Sequence, residues 1–425
     1  MPLATAVSTA LAASPIDSGD TAWVLVCTAL VLFMTPGLAL FYGGMVRSKH
    51  VLSMLAQNFA VIAVVSIVWA LVGYSLAFSG GDGLIGNLRL AGLAHAGQPL
   101  TGFPLSVPQP AFAAFQMMFA VLTTALLTGA GADRMRFGPF ITFSVLWVLI
   151  VYVPVAHWAF SPQGWLAKAG LLDFAGGTVV EINAGASALA LVLVLGRRRG
   201  WPQEPMAPHS LPLTLLGAGI LWFGWFGFNA GSALSAGHLA SQALLSTHLA
   251  GCGGLLGWMA FEKRATGHAT TLGAASGAVA GLVAVTPAAG FVNSLGAILI
   301  GLVAGVAGLY AVRLKFRHGY DDSLDVVGVH GICGIVGTLA VGVLATRSVN
   351  PHGRGLIDGG GLHQLGVQAL GVVVTAGWAF VATLAIAWAV HKTLGLRAAP
   401  EDELAGLDMA THAENAYEHG AFGAR

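Results

Sequence analysis

Residues 51–79 read VLSMLAQNFAVIAVVSIVWALVGYSLAFS, a stretch without any Asp, Glu, Lys or Arg. A helix needs about 20 consecutive apolar residues to cross the hydrocarbon core of a bilayer, so this stretch predicts one transmembrane helix. Similar apolar stretches follow one another along the chain, separated by turn signals such as Gly80-Gly81-Asp82-Gly83. The predicted spans are residues 21–44, 51–79, 112–132, 138–158, 174–196, 211–231, 239–261, 270–286, 291–312, 326–346 and 364–392.

The composition is typical of a protein whose main solvent is lipid. Charged residues make up 9% of the chain and hydrophobic residues 56%, whereas a soluble domain carries roughly 25% charged residues. The 59 glycines agree with this class, because small residues let membrane helices approach closely. The formal net charge of +1 argues against a nucleic-acid partner. We therefore expect an all-α integral membrane protein of eleven transmembrane helices.

The basic residues test this span count. With the N-terminus outside, only four of the 19 Lys and Arg residues fall in outward-facing segments, namely Arg89, Lys168, Arg347 and Arg354. The others fall in inward-facing segments, where membrane proteins concentrate Lys and Arg. The pattern predicts an N-out, C-in topology with an odd number of spans, because a wrong count would scramble the alternation.

Eleven spans divide into two units of five and a final helix. A five-span unit starts and ends on opposite sides of the membrane, so two copies in tandem would be inverted relative to each other. The fifth span carries Asp173 and then Glu181, and the tenth carries Asp325 and then His330. This similarity favours a 5+5 inverted repeat plus a final helix.

The predicted organisation has three parts. Residues 1–19 form an N-terminal segment, residues 20–396 the membrane domain, and residues 397–425 a polar, acidic tail in the cytoplasm. Residues 11–14 are small, like a cleavage site, but the segment lacks the positive charge with which a signal peptide opens. Whether the first segment is a signal remnant that is removed stays open.

Ionisable side chains inside the spans are rare, and each is a candidate functional residue because a charge in the bilayer is costly. Glu181 and His330 occupy matching places in the two proposed halves, and a carboxylate beside an imidazole can hold or pass a proton. We expect these two residues to form a pore pair. His248 has Ser246 and Thr247 beside it and no other signal, so we expect an ordinary buried polar group there.

Aromatic rings are concentrated at residues 222–229, which read WFGWFGFN. The face of an aromatic ring attracts a small cation. The same residues also suit plain helix packing, and composition does not choose between these two interpretations.

The three cysteines, Cys27, Cys252 and Cys333, lie in apolar stretches. Their spacing is not that of metal ligands, so we interpret them as small core residues rather than as disulfide or metal sites. The sequence predicts neither a metal nor another cofactor.

Several long motifs resemble the Amt/Mep/Rh family of ammonium transporters, in that family's order. Residues 173–180 (DFAGGTVV) resemble the start of its fifth helix, and residues 224–232 (GWFGFNAGS) part of its sixth. Residues 273–290 (GAASGAVAGLVAVTPAAG) look like its eighth helix and the following loop, and residues 326–337 (VVGVHGICGIVG) like its tenth. The resemblance covers nearly the whole chain and is strongest to the bacterial Amt branch.

The resemblance implies a homotrimer in which each subunit has its own narrow pore. Phe119 and Phe228 match the two rings of the family's phenylalanine gate. Glu181 and His330 match the two positions of its pore histidine pair. The outer recruiting site would contain Phe160, Trp225 and Ser232, with Asp173 supporting its structure.

Two positions depart from the usual bacterial pattern of the family. Glu181 replaces the first pore histidine, as in some fungal Mep transporters, and we expect this exchange to change the pH optimum and to loosen selectivity against K⁺. Phe160 replaces a tryptophan of the recruiting site. Phenylalanine keeps a ring face but lacks the indole N–H, so we expect the recruiting site to bind ammonium more weakly. Trp158 is a nearby residue that would partly substitute for it.

The predicted function is ammonium transport across the cell (inner) membrane of a bacterium, and not enzymatic catalysis. Ammonium would exchange water for ring faces and the Ser232 hydroxyl, release a proton, and pass the pore as ammonia, because a bare cation in an apolar pore is too costly. Whether the net transport is electrogenic or neutral stays open. The alternatives are an ammonium sensor (a transceptor) and an electroneutral NH₃ gas channel of the Rh type. An intramembrane enzyme is disfavoured because the sequence carries no His-Glu-x-x-His motif, no Gly-x-Ser-x-Gly motif and no paired intramembrane aspartates.

The tail, with Gly406-Leu407-Asp408, resembles the family's cytoplasmic C-terminus. In bacterial relatives this region helps to dock a trimeric PII-type signal protein that blocks the pore. The resemblance therefore implies a PII-type partner at the cytoplasmic face.

Overall fold

The computed structural model describes residues 15–100 and 102–417, and the regular elements in this part of the chain are all helical. The helices are α1 (Ser18–Met45), α2 (Ser48–Phe78), α3 (Gln109–Ala130), α4 (residues 137–160), α5 (Gly177–Leu195), α6 (Leu211–Gly231), α7 (His238–Thr266), α8 (Thr271–Val285), α9 (Ser294–Ala311), α10 (Val327–Leu344), α11 (Leu362–Leu394) and the short α12 (Pro400–Ala405). The suggested processing of the N-terminal segment concerns residues 1–14, which lie outside the described part.

The lengths of the helices agree with a membrane protein. Across the described ranges, 10 helices are long and apolar enough to span a bilayer, and α8, with 15 residues, is apolar but shorter. The predicted spans agree with these helices to within a few residues at each end. The all-α membrane fold is therefore confirmed, and a count of eleven transmembrane helices is consistent with it.

The surface and the interior of the helix bundle differ as a bilayer requires. Large apolar side chains such as Leu71, Leu256 and Leu299 are exposed along the helices, where they would contact lipid. Inside, glycine permits close helix packing. A Cβ added to Gly217 of α6 would lie 2.2 Å from the backbone nitrogen of Phe41 in α1.

The fifth and tenth helices begin in the same unusual way. Gly177–Ile182 in α5 and Val327–Ile332 in α10 are π-helical turns, and each helix then continues as a regular α-helix. Such turns are rare and are frequent at functional sites. The two helices cross at Gly185 and Gly331, where a Cβ on Gly185 would lie 2.2 Å from the Cα of Gly331. Only glycine permits this approach, which brings the two predicted pore residues together.

The two ends of the bundle are distinguished by their charges. We call the end that carries the loops after α1, α3, α5 and α9, together with residues 396–417, the tail-side face, and the other end the opposite face. Buried ion pairs hold the tail-side face together. Arg47 pairs with Asp133 at 2.9 Å. Asp321 forms ion pairs with Arg198 at 2.9 Å and with Arg134 at 3.7 Å.

Burial and neighbouring charges together shift the pKa of two carboxyl groups on the tail-side face. Burial alone would raise the pKa of Asp321, but the hydrogen bond from Arg198 and the charge of Arg134 bring the pKa below its ordinary value. For Asp322, burial and the neighbouring Asp325 carboxylate raise the pKa to about 6. Asp322 therefore titrates much closer to neutral pH than an ordinary aspartate does.

The C-terminal tail is folded against the tail-side face. Glu403 of α12 accepts a hydrogen bond from the Arg397 side chain at 2.8 Å and one from the backbone N–H of Arg199 at 2.7 Å. Asp408 accepts a hydrogen bond from the backbone N–H of Ser53 at 2.8 Å. Both carboxylates are buried, so the polar tail is a packed element that is anchored to α2 and to the loop after α5.

Candidate functional site

A carboxylate and an imidazole meet in the middle of the helix bundle. Nδ1 of His330 lies 2.7 Å from Oε2 of Glu181, and the two side chains are 6% and 1% exposed. The second carboxylate oxygen, Oε1, is buried and has no hydrogen-bond partner within the described residues. A pair at this distance can hold one proton between Nδ1 and Oε2 and can exchange it with a third group.

The pair lines a narrow cavity between the helices. The other walls are apolar and include Met34, Leu38 and Leu221. The open space measures about 10 Å³, roughly the room that one water molecule needs. Glu181 and His330 are the ionisable side chains among its lining residues, so a small molecule in the cavity meets these two groups and otherwise apolar walls.

Two phenylalanine rings contact each other beside Trp225, which lines this cavity. The ring centroids of Phe119 and Phe228 are 4.3 Å apart, with 37° between the ring planes. Both side chains are buried. Phe115 packs edge-on against Phe119 at 4.9 Å. The two residues that were predicted to form a gate are therefore in contact, and a solute must displace a ring to pass between them.

Asp173 shapes the turn that leads into α5. Its Oδ1 accepts hydrogen bonds from the backbone N–H groups of Gly176 at 2.9 Å and Gly177 at 2.6 Å. Its Oδ2 accepts the N–H of Thr178 at 2.8 Å and also the Thr178 hydroxyl. The carboxylate thus satisfies the N–H groups that the first turn of a helix leaves free. Asp173 therefore stabilises the start of α5, and its carboxylate oxygens are already engaged by these hydrogen bonds.

Ser232 and Phe160 both lie at the opposite face. The Ser232 hydroxyl donates its hydrogen to the carbonyl of Phe228 at 2.8 Å. Its oxygen lone pairs are therefore left to accept a hydrogen bond from a solute. Phe160 is half-buried at the end of α4, and a Cβ on Gly176 would lie 3.6 Å from its Cζ atom. Phe160 thus borders the turn that Asp173 caps.

Trp225 lies deeper than the outer mouth. It lines the cavity with Glu181 and His330, and its ring centroid is 5.6 Å from that of Phe228. Its Nε1–H donates a hydrogen bond to Oγ1 of Thr286 at 2.9 Å. The Trp225 ring therefore lies between Phe228 and the cavity of the pore pair.

The structure places Trp158 and His248 away from the cavity. The indole N–H of Trp158 is donated to the carbonyl of Leu84 at 2.7 Å, so this ring is not free to replace the missing tryptophan at position 160. His248 is exposed on the outer surface of the bundle. It packs beside Trp222 at 5.6 Å. The expectation that His248 is buried is wrong for the single chain, because α7 turns this residue outward.

Sequence reasoning missed Thr286, whose hydroxyl oxygen accepts the indole N–H of Trp225. No spacing rule connects Thr286 to a residue 61 positions earlier in the chain. The only available signal was its place inside a motif of the resembling family.

The described residues show no metal centre. They contain no group of three or more His, Cys, Asp or Glu that could hold a metal ion. Cys27, Cys252 and Cys333 are free thiols.

Comparisons with known proteins give one family. The family model described as "Ammonium Transporter Family" matches residues 22–417. An ammonium transporter of Mycobacterium tuberculosis (strain ATCC 25618 / H37Rv) is 48% identical over 432 residues, which cover 95% of this chain and 91% of that protein. The crystal structure of Saccharomyces cerevisiae Mep2 superposes with a TM-score of 0.84 at 37% identity, covering 91% of this chain and 88% of that one. A solved structure described as a sensor Amt protein gives a TM-score of 0.85 at 31% identity, covering 92% and 98% of the two chains.

Proposed function

Because the chain belongs to the ammonium transporter family, we infer that it carries ammonium across a membrane through the cavity lined by Glu181 and His330. The observation that carries this conclusion is the 2.7 Å carboxylate–imidazole pair at the wall of an apolar, water-sized cavity behind two touching rings. The chain is a multi-pass membrane protein of a transporter family rather than an enzyme. We place it in the cell (inner) membrane of a bacterium, in the bacterial Amt branch.

Recruitment would take place at the opposite face, which we assign to the outside. There the Ser232 oxygen can accept a hydrogen bond from ammonium, and the rings of Phe160 and Phe228 offer negative faces. Asp173 holds the turn before α5 in place. Because Phe160 lacks an indole N–H, this site should bind ammonium more weakly than one that carries tryptophan.

The narrow cavity then requires that ammonium lose its charge. A bare cation within apolar walls is too costly, whereas neutral ammonia is not. One N–H bond of ammonium breaks, its electron pair stays on nitrogen, the proton passes to solvent water at the outer mouth, and ammonia passes the rings of Phe119 and Phe228. The proton travels separately along Glu181 and His330, and it rejoins ammonia on the tail-side face. The net movement is then one positive charge for each ammonium.

The Glu181–His330 pair has different charge states from a pair of two histidines. A carboxylate–imidazole pair can be anionic or neutral, whereas an imidazole pair can be neutral or cationic. We propose that the anionic form attracts cations and thereby changes the pH optimum and loosens selectivity against K⁺. Glu181→His tests this idea, which fails if the variant keeps both the pH dependence and the K⁺ response of the native protein.

A homotrimer and a PII-type partner complete the proposal. An imidazole exposed to lipid in the middle of a transmembrane helix is costly, so we expect another copy of the chain to cover His248. The tail on the tail-side face would offer the docking surface for a trimeric signal protein. Native mass spectrometry of the purified protein, alone and with a PII-type protein, tests both assemblies; masses of single chains and of unbound protein would refute them.

Transport is tested with purified protein in liposomes. A pulse of ammonium should produce a current that empty liposomes lack and a change of internal pH that is faster than theirs, with K⁺ and methylammonium pulses as controls. A faster change of internal pH without current would indicate the neutral gas channel. The 48% identity to an ammonium transporter does not favour the sensor. If neither signal appears, ammonium transport is refuted and the sensor becomes the better interpretation.

A further inference from the structure

The orientation of the Trp225 ring is fixed by a single hydrogen bond. The indole N–H is donated to Oγ1 of Thr286, with 2.9 Å between the nitrogen and the oxygen. Trp225 is 3% exposed and Thr286 is fully buried. Trp225 borders the cavity that the pore pair lines, whereas Thr286 is not among the lining residues. The N–H therefore points away from the cavity, and the remainder of the indole borders it.

The acceptor role of Thr286 is itself fixed. Its hydroxyl hydrogen is donated to the carbonyl of Leu282 at 2.8 Å, so the hydroxyl offers only lone pairs to the indole. Thr286 is the C-cap residue that directly follows α8, and the carbonyl of the next residue, Pro287, accepts the backbone N–H of Phe174 at 3.1 Å. The threonine is thus held from both sides and cannot easily turn away from the ring.

A free indole N–H would change the chemistry of the cavity. The ionisable groups that line it are Glu181 and His330, and its other walls are apolar. An N–H aimed inward would add a donor that can bind the lone pair of ammonia, and a bound ammonia leaves more slowly. A donor that is already engaged cannot do this.

From these contacts, we propose that Thr286 is a positioning residue that keeps the Trp225 N–H out of the conduction cavity and thereby sets the rate of passage. The proposal rests on the proposed function, since it assumes that ammonia passes this cavity. It adds Thr286, the residue that follows α8, to a cavity whose walls come from α1, α3, α5, α6, α8 and α10.

The test is a double-mutant cycle on the protein in liposomes. Thr286→Val keeps the shape of the side chain but removes the acceptor, and Trp225→Phe removes the donor. We expect Thr286→Val to lower the maximal rate of ammonium transport roughly three- to tenfold, the effect of one neutral hydrogen bond. The concentration for half-maximal rate should change little, because recruitment occurs beyond the rings. Thr286→Ser, which keeps the acceptor, should restore most of the rate.

The decisive comparison is made in the Trp225→Phe background. If Thr286 acts through the indole N–H, Thr286→Val should have no further effect there. An equal loss in both backgrounds would mean that Thr286 serves only the packing of α8, and the proposal would be wrong. If Thr286→Val does not assemble, Thr286→Ala replaces it in the same cycle. A native protein without any ammonium signal would instead refute the proposed function, and this inference with it.

Discussion

At the scale of single residues, the chemistry of the protein depends on how few charges are buried and on how each one is paired. Glu181 faces His330 at 2.7 Å in the interior. On the tail-side face, Asp321 is matched by Arg198 and Arg134. Asp322 has no ion pair in the described part of the chain: its Oδ2 accepts the backbone N–H of Val327 at 2.7 Å, and its Oδ1 is buried without a partner.

We expect the ionised Asp322 side chain to lower the free energy of unfolding at neutral pH. Its pKa is raised from the ordinary 3.8 to about 6, so between these values the folded protein binds more protons than the unfolded chain, and stability falls as the pH rises through this window. Asp322→Asn removes the titration. The variant should melt a few degrees higher than the native protein at pH 7 in detergent, with a smaller difference at pH 4.5.

The control for this prediction is Asp82→Asn. Asp82 is an exposed aspartate of the opposite face, and hydrogen bonds from the backbone N–H groups of Leu84 and Ile85 lower its pKa. This variant should gain no stability at pH 7. Melting curves of the Asp322→Asn variant that keep the native dependence between pH 4.5 and 7 would contradict the assignment.

At the scale of helices, the site depends on how α5 and α10 begin and cross. Both start with a π-helical turn that carries one residue of the pair. The ionisable residues could be located from the sequence because they interrupt apolar spans. The contact between Nδ1 and Oε2 could not, since it requires the crossing at Gly185 and Gly331. The contact of Trp225 with the cavity of the pore pair could not be predicted for a similar reason, because a helix with rings on every side shows no preferred face.

The tail offers a second prediction at this scale. Glu403 binds Arg397 and the backbone of Arg199, so Glu403→Ala should release the tail from the tail-side face. A buried hydrogen bond to a charged group contributes about 1.5–3 kcal/mol, so the detached state should be populated at least tenfold more. Trypsin should then cleave after Arg397 correspondingly faster.

Glu401 provides the matched control for this experiment. It lies in the same short helix but is exposed, so Glu401→Ala should leave the rate of cleavage unchanged. Equal cleavage of the native protein and both variants would mean that Glu403 does not hold the tail.

At the scale of the whole molecule, the outer surface bears on the assembly. His248 is exposed within α7 of the single chain, and we expect a neighbouring subunit to cover it. Replacing it with a fixed charge, His248→Lys, should drive trimers apart, as measured by native mass spectrometry. His268→Lys, just beyond the end of α7, should not. Trimers that survive both changes would place the subunit interface elsewhere.

The overall architecture was accessible from the sequence because lipid imposes strict rules. Spans of fixed length, alternating basic loops and a final polar tail follow from the cost of burying backbone and charge in hydrocarbon. The placement of individual side chains was not accessible. The contacts between Thr286 and Trp225 and between Glu403 and Arg199 join residues far apart in the chain, and no local pattern reports them.

The central claim, that ammonia and its proton take separate routes and that Glu181 carries the proton, is tested most directly with Glu181→Gln. Glutamine can still accept a hydrogen bond from His330 but cannot take up a proton. Current and internal pH would be recorded together in liposomes after an ammonium pulse. The account predicts that the variant loses most of the current while ammonia still enters and raises the internal pH faster than in empty liposomes. An unchanged current would contradict it, because the charge would then cross without Glu181.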